Sequence, residues 1–185
     1  PFPSARRQCV APVMTALLKD SSPPSPRYAV VVSRFNTDVT QALQDGALQT
    51  FQEAGLSPDA LDVFSVPGAF ELPLLCDRLA QSNNYAAILA LGCVIRGETP
   101  HFDFVAGECA RGIEETARKY GLPVVFGVLT TDTLAQAQHR ANRQILSGSD
   151  VLEEGRTEKT TPTSNKGAEA ASTAMEMVAI LQELA

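Results

Sequence analysis

The sequence predicts an α/β fold, a three-layer α-β-α arrangement with a four-stranded parallel sheet and helices on both of its faces. Two observations carry this reading. Four short runs rich in Val, Ile and Leu lack polar alternation, as strands covered on both sides do. Amphipathic stretches lie between these runs, and strand–helix alternation of this kind builds a parallel sheet. Size agrees, because 185 residues with 44% apolar and 19% charged side chains suit one packed domain with extensions.

Residues 28–32 (YAVVV) form the first strand. Val39, Leu43, Ala47, Phe51 and Ala54 then repeat at helical spacing, with Asn36 or Thr37 as the cap and Gly55 as the stop. Residues 61–66 make the second strand, and Phe70, Leu74, Cys76 and Leu79 suit a second helix. The third strand spans 86–91. Val105, Cys109, Ile113 and Ala117 mark a third helix, ended by Gly121. Residues 124–129 form the fourth strand and 133–142 a fourth helix. From Asn142 to Ser164 large apolar residues are sparse, which predicts a long loop with a short helix around 150–154. A last helix starts at Lys166 and runs on Ala171, Met175, Val178 and Leu181.

Two segments stand outside this pattern. Residues 1–26 hold six of the 12 prolines and are expected to be a flexible Pro/Ser-rich extension. The domain proper is expected over 27–185, with a polar insertion at about 142–164. The extension lacks acidic residues before Asp20 and carries Arg6 and Arg7, which fits the end of an organellar transit peptide as well as an ordinary solvated tail. A start at Pro1 is expected of a processed chain or a fragment. The expected compartment is the cytoplasm or, with a transit-peptide remnant, the plastid stroma.

Charge and cysteine usage exclude several function classes. A net charge of −6 argues against nucleic acid or an anionic membrane as partner. The longest apolar stretch, 85–95, is too short for a bilayer, which takes about 18 residues or more. Cys9, Cys76, Cys93 and Cys109 form no close pair and read as reduced thiols, mostly in the core. A Cys93–His101–Cys109 set lacks a fourth ligand, so no metal is expected.

Ligands of an open parallel sheet bind outside the carboxyl ends of its strands. That rim carries Arg34-Phe35-Asn36, then VPGAFELP over 66–73, then residues 92–103 with the string RGETPH at 96–101. FGVLTT comes next over 126–131, then Gln136-Ala137 with Arg140, and Asn165-Lys166-Gly167 opens the last helix. These blocks, in this order, resemble the lumazine synthase family over about 27–140 and again from 165.

The resemblance implies a flavodoxin-like fold and a transferase of riboflavin biosynthesis. Its reaction would be the penultimate step, condensing 5-amino-6-(D-ribitylamino)uracil with 3,4-dihydroxy-2-butanone 4-phosphate to 6,7-dimethyl-8-ribityllumazine, with release of phosphate and water. His101 becomes the proton shuttle, since imidazole moves protons both ways near neutrality; its plainer role is to cap the third helix. Phe35 would stack on the pyrimidine, although a Phe at a strand end is more often core. Ala69, Phe70 and Glu71 would bind the ribityl chain and pyrimidine, and Cys93, Val94 and Ile95 would line the uracil through their backbone. Glu98, by its backbone, and Thr99 would hold the phosphate at a helix N-terminus, with Arg140 as a guanidinium clamp. Phe126 would close the pocket from a neighbouring subunit. Asn36 and Lys166 are further candidates.

No cofactor is expected, because condensation of an amine with a ketone supplies its own electrophile. The implied partners are the small-molecule substrates, further copies of the chain, and riboflavin synthase. The family's turn between its last two helices is short, whereas 24 residues separate Arg140 from Asn165 here. Bulk at that turn opposes shell closure, so a pentamer rather than an icosahedral 60-mer is expected. A non-catalytic flavodoxin-like binder of ribityl-pyrimidines or flavins is the alternative.

Overall fold

Successive strand residues point to opposite faces of a sheet, and in the central strands here both sets are apolar. The protein is described by a computed structural model over residues 26–141 and 165–184. Strand β1 (Tyr28–Ser33) sends Tyr28, Val30 and Val32 to one side and Ala29 and Val31 to the other. Strand β3 (Ala87–Ile95) divides likewise, with Leu89, Leu91 and Cys93 against Ile88 and Ala90. Helices α1 (Thr37–Glu53), α4 (Leu134–Ala141) and α5 (Lys166–Glu183) cover the first side. Helices α2 (Leu72–Gln81) and α3 (His101–Tyr120) cover the second.

Strands β2 (Leu61–Val66) and β4 (Val124–Thr131) flank the central pair, in the parallel order β2-β1-β3-β4. This is the predicted three-layer α-β-α fold, with the flavodoxin-like strand order. Among the described residues no helix is long and apolar enough to cross a membrane.

Several expectations are corrected. Residues 61–66 are not covered on both faces: β2 is an edge strand in which Val66 is buried while Val63 is 45% exposed. The third strand runs on past Leu91, because Gly92 to Ile95 keep pairing with Val128 to Thr131 after β1 has ended. In the second helix the buried set is Leu72, Cys76 and Ala80. Phe70 and Leu74 are instead exposed, since Pro73 in the first turn starts the helix at Leu72 and sets its phase. Leu181 is half-exposed, and α5 packs through Gly167, Ala170, Ala171, Ala174 and Val178. Gly55 and Gly121 come after α1 and α3 in left-handed backbone, as expected of helix stops. The short helix expected around 150–154 lies outside the described residues.

One side chain ties three helices together. Asn165 accepts at its Oδ1 from the N–H groups of Gly167 (2.8 Å) and Ala168 (3.2 Å), capping α5. Its Nδ2 donates to the carbonyls of Ala42 (2.8 Å) in α1 and Ala141 in α4. Room for this buried amide exists because residue 46 is glycine; a β-carbon there would overlap the Asn165 side chain. Gly167 is equally constrained, since its β-carbon would run into the Leu43 carbonyl.

Asn165→Ala should therefore cost about 1–3 kcal/mol, by leaving buried backbone groups unpaired. Gly167→Ala should cost about as much or more, by forcing α1 and α5 apart. Urea unfolding at fixed protein concentration measures both; midpoints unchanged from the parent chain would show that this clamp carries no stability.

Candidate active site

The strand order reverses between β1 and β3, and a crevice opens there at their carboxyl ends. β1 stops at Ser33, where the Arg34 N–H donates to the Val66 carbonyl (2.8 Å) and turns the chain toward α1. Asn36 holds a left-handed backbone (φ 60°), and its amide donates to the Cys93 carbonyl at 3.0 Å. It occupies the cap position of α1 without capping by its side chain. Phe35 is thereby pushed outward, 69% exposed, rather than into the core.

A cavity of about 390 Å3 fills this crevice, a size suited to a small organic molecule. Phe35 lines it from the β1 end, and Gly68, Ala69, Phe70 and Glu71 from the turn after β2. Cys93, Val94 and Ile95 supply the β3 wall; Gly97 and Thr99 belong to the segment leading into α3, and His101, Phe102 and Val105 to α3 itself. Nine of the residues singled out from sequence thus meet in one space: Phe35, Ala69, Phe70, Glu71, Cys93, Val94, Ile95, Thr99 and His101. Phe102 and Val105 are walls that sequence reasoning misses. Val105 carries the apolar period of α3 and so reads as core, and nothing in the sequence marks Phe102 apart from its place beside His101.

The other candidates lie elsewhere. Phe126, Arg140 and Lys166 line a second, more open cavity of about 530 Å3 between β4, α4 and α5. The two cavities share no lining residue. Lys166 is paired with Glu169 at 2.6 Å. Glu98 is exposed and lines neither cavity, and Asn36 holds β3 from beneath.

Electrostatics at the crevice come from α3. Pro100 stands at the cap position of this 20-residue helix and offers no capping side chain; the Asp103 N–H turns back to the Pro100 carbonyl (3.0 Å), and the N-terminus presents the positive end of the helix dipole. His101 is its first residue and is exposed. Arg96 lies across the loop, its guanidinium pushed further up in pKa by hydrogen bonds to Asp103 and Asp132.

Cys93 and Cys109, with His101 the set considered from sequence, are kept apart by the sheet. Cys93 packs on the α1 side of the sheet and Cys109 on the α3 side, and among the described residues no group of three His, Cys, Asp or Glu could hold a metal ion. Burial pushes the Cys93 thiol up to about 11 and those of Cys76 and Cys109 up to about 12. Cys93 therefore borders the cavity as a neutral thiol.

Residues 25–182 match the protein family described as 6,7-dimethyl-8-ribityllumazine synthase.

At pH 8 these three thiols should resist alkylation of the native protein. Relative to an ordinary thiol of pKa 9.0, a pKa of about 11 lowers the thiolate fraction roughly 100-fold at Cys93. Iodoacetamide labelling with peptide mass mapping reads this. Labelling of native Cys93 at the rate of a free thiol would contradict the burial described.

Proposed function

The chain belongs to the 6,7-dimethyl-8-ribityllumazine synthase family, and from that premise we propose the reaction its crevice carries out. An amine of 5-amino-6-(D-ribitylamino)uracil condenses with the ketone of 3,4-dihydroxy-2-butanone 4-phosphate. Water and phosphate leave, and the ring closes to the lumazine. The observation that carries this reading is convergence: Phe35 after β1, Glu71 in the turn after β2 and His101 at the start of α3 border one cavity at a helix N-terminus.

Each group has a task suited to its chemistry. The exposed Phe35 ring offers a face for the pyrimidine. The Glu71 carboxylate accepts hydrogen bonds from ribityl hydroxyls, and the backbone of Cys93 to Ile95 borders the uracil edge. Phosphate sits on the N–H groups around Gly97 to Thr99, where the α3 dipole favours an anion. Glu98 takes part through its backbone, since its carboxylate would repel the ligand. His101 takes the proton from the attacking amine and returns one to the departing oxygen.

Phe126, Arg140 and Lys166 complete the site from the neighbouring subunit. Their separation from His101 within one chain, in a cavity that shares none of its residues, supports this. A ring of five copies supplies each crevice with its neighbour's second cavity. The domain assignment, 27–185 with an insertion at about 142–164, belongs to the same proposal.

Incubation with both substrates should give the lumazine, seen by its fluorescence, together with phosphate. An intact oligomer that binds the pyrimidine without turnover would leave a binding protein instead. His101→Ala should lower kcat roughly 100-fold, as loss of a general acid–base does. Arg140→Ala should raise KM for the phosphorylated ketone far more than for the pyrimidine.

Mixing tests the shared site. Co-refolding equal amounts of the His101→Ala and Arg140→Ala chains should recover about a quarter of the parent sites, since each site then draws its two residues from different chains at random. No recovery would place both residues in one subunit's site. Light scattering should give about five times the 19.7 kDa chain mass; a megadalton particle would refute the pentamer.

A further inference from the structure

Arg96 makes four contacts beside the crevice while lining neither of the two cavities described. Its N–H donates to the Thr131 carbonyl at 2.9 Å, fixing the end of β3 to the end of β4. Its Nη1 and Nη2 meet the two carboxylate oxygens of Asp103 at 3.3 and 3.1 Å, a bidentate pair. Nε donates to Asp132 at 3.0 Å. The guanidinium carbon lies 4.1 Å from the centre of the Phe102 ring, at stacking distance.

Between the two ends of this bracket run Gly97, Glu98, Thr99, Pro100 and His101. Gly97, Thr99, His101 and the stacked Phe102 all line the cavity. A β-carbon at Gly97 would meet no other group within 4 Å, so no side chain packs against that side of the turn. Arg96 pins the start of the loop to β4 and ties its far end, through Asp103, to the first turn of α3. Asp103 is also the acidic residue of that turn, so the pairing offsets a negative charge near the helix N-terminus.

We propose that Arg96 is a positioning residue: it closes the Gly97–His101 loop into a fixed ring and balances Asp103, so that loop and helix end together accept the phosphate of the substrate. This rests on the reaction proposed for the same crevice. Lysine does not replace it, because an ammonium lacks both the fork that meets Asp103 and the planar face that lies on Phe102.

The test varies each substrate separately for the parent chain, Arg96→Gln and Arg96→Lys, with oligomer size and circular dichroism checked first. Arg96→Gln should raise KM for the phosphorylated ketone roughly tenfold, the scale of a displaced binding loop, while KM for the pyrimidine stays within about twofold. Guanidinium chloride at millimolar concentration should restore part of the loss. Adding Asp103→Asn to Arg96→Gln should restore part as well, by removing the unbalanced carboxylate. An unchanged ketone KM, or an equal rise in both KM values without guanidinium rescue, would overturn the proposal. Should Arg96→Gln fail to assemble, Arg96→Lys carries the test, with the same split expected.

Binding of inorganic phosphate, measured by 31P line broadening, reads the same role without turnover and should weaken roughly tenfold in Arg96→Gln. A parent chain that makes no lumazine, yet binds phosphate in an Arg96-dependent way, would sink the reaction and keep the positioning role. Turnover that ignores Arg96 would do the reverse.

Discussion

The hydrogen bond from the Asn36 amide to the Cys93 carbonyl holds together two strands that the sheet itself releases. β1 pairs with β3 as far as Val32 and Leu91, then bends away at Arg34, while β3 continues beside β4 to Ile95. The Arg34 N–H ties the departing chain to Val66 of β2, but it leaves the free edge of β3 to be reached by another group. Asn36 supplies the tie from left-handed backbone, a conformation that Asn tolerates better than most residues. Asn36 also stands at the cap position of α1, where its side chain makes no capping bond. The tie gives the crevice fixed lips, Phe35 on one and Cys93 to Ile95 on the other.

Much of the fold is legible in the sequence, for a definite reason. Apart from Ser33 the central strands carry no polar alternation, because both faces are covered, and a run such as YAVVV has few other stable placements. Legibility fails where neighbours decide. LDVFSV is as strand-like as the others, yet its place at the sheet edge leaves Val63 half-exposed. Gly92 reads as the end of a strand, but it lies inside one, where a β-carbon would crowd Leu72, Ser33 and Val128 at 3.2–3.3 Å. Pro73 shifts the register of α2 and turns Phe70 out of the core into the crevice.

The candidate site is legible in another way. Residue types at strand ends, and the strings that resemble a known family, name the side chains; they do not say which of them share a space. His101 and Arg140 are both placed after strands of one sheet, yet they border different cavities. Arg96 escapes assignment from sequence for a related reason. Its partners stand seven and 36 positions away, and ion pairs at such separations leave no periodic trace in a sequence.

The stretch between Ala141 and Asn165 looks at first like a threat to the second cavity, because it separates Arg140 from Lys166 in the chain. Geometry removes the threat. Arg140 is the residue before Ala141, and Lys166 is the residue after Asn165. The carbonyl of Ala141 accepts from the side chain of Asn165, which also caps α5 and binds the Ala42 carbonyl. Both cations therefore adjoin a single hydrogen-bonded pair that is anchored on α1. Chain length between the members of that pair does not enter the geometry, since the two ends are fixed before the intervening residues are counted. Loop-closure entropy grows only slowly with length, so the number of residues joining the two ends adds only modestly to the cost of closing them. A long polar segment can thus be carried between α4 and α5 while Arg140 and Lys166 keep their places at the edge of the sheet.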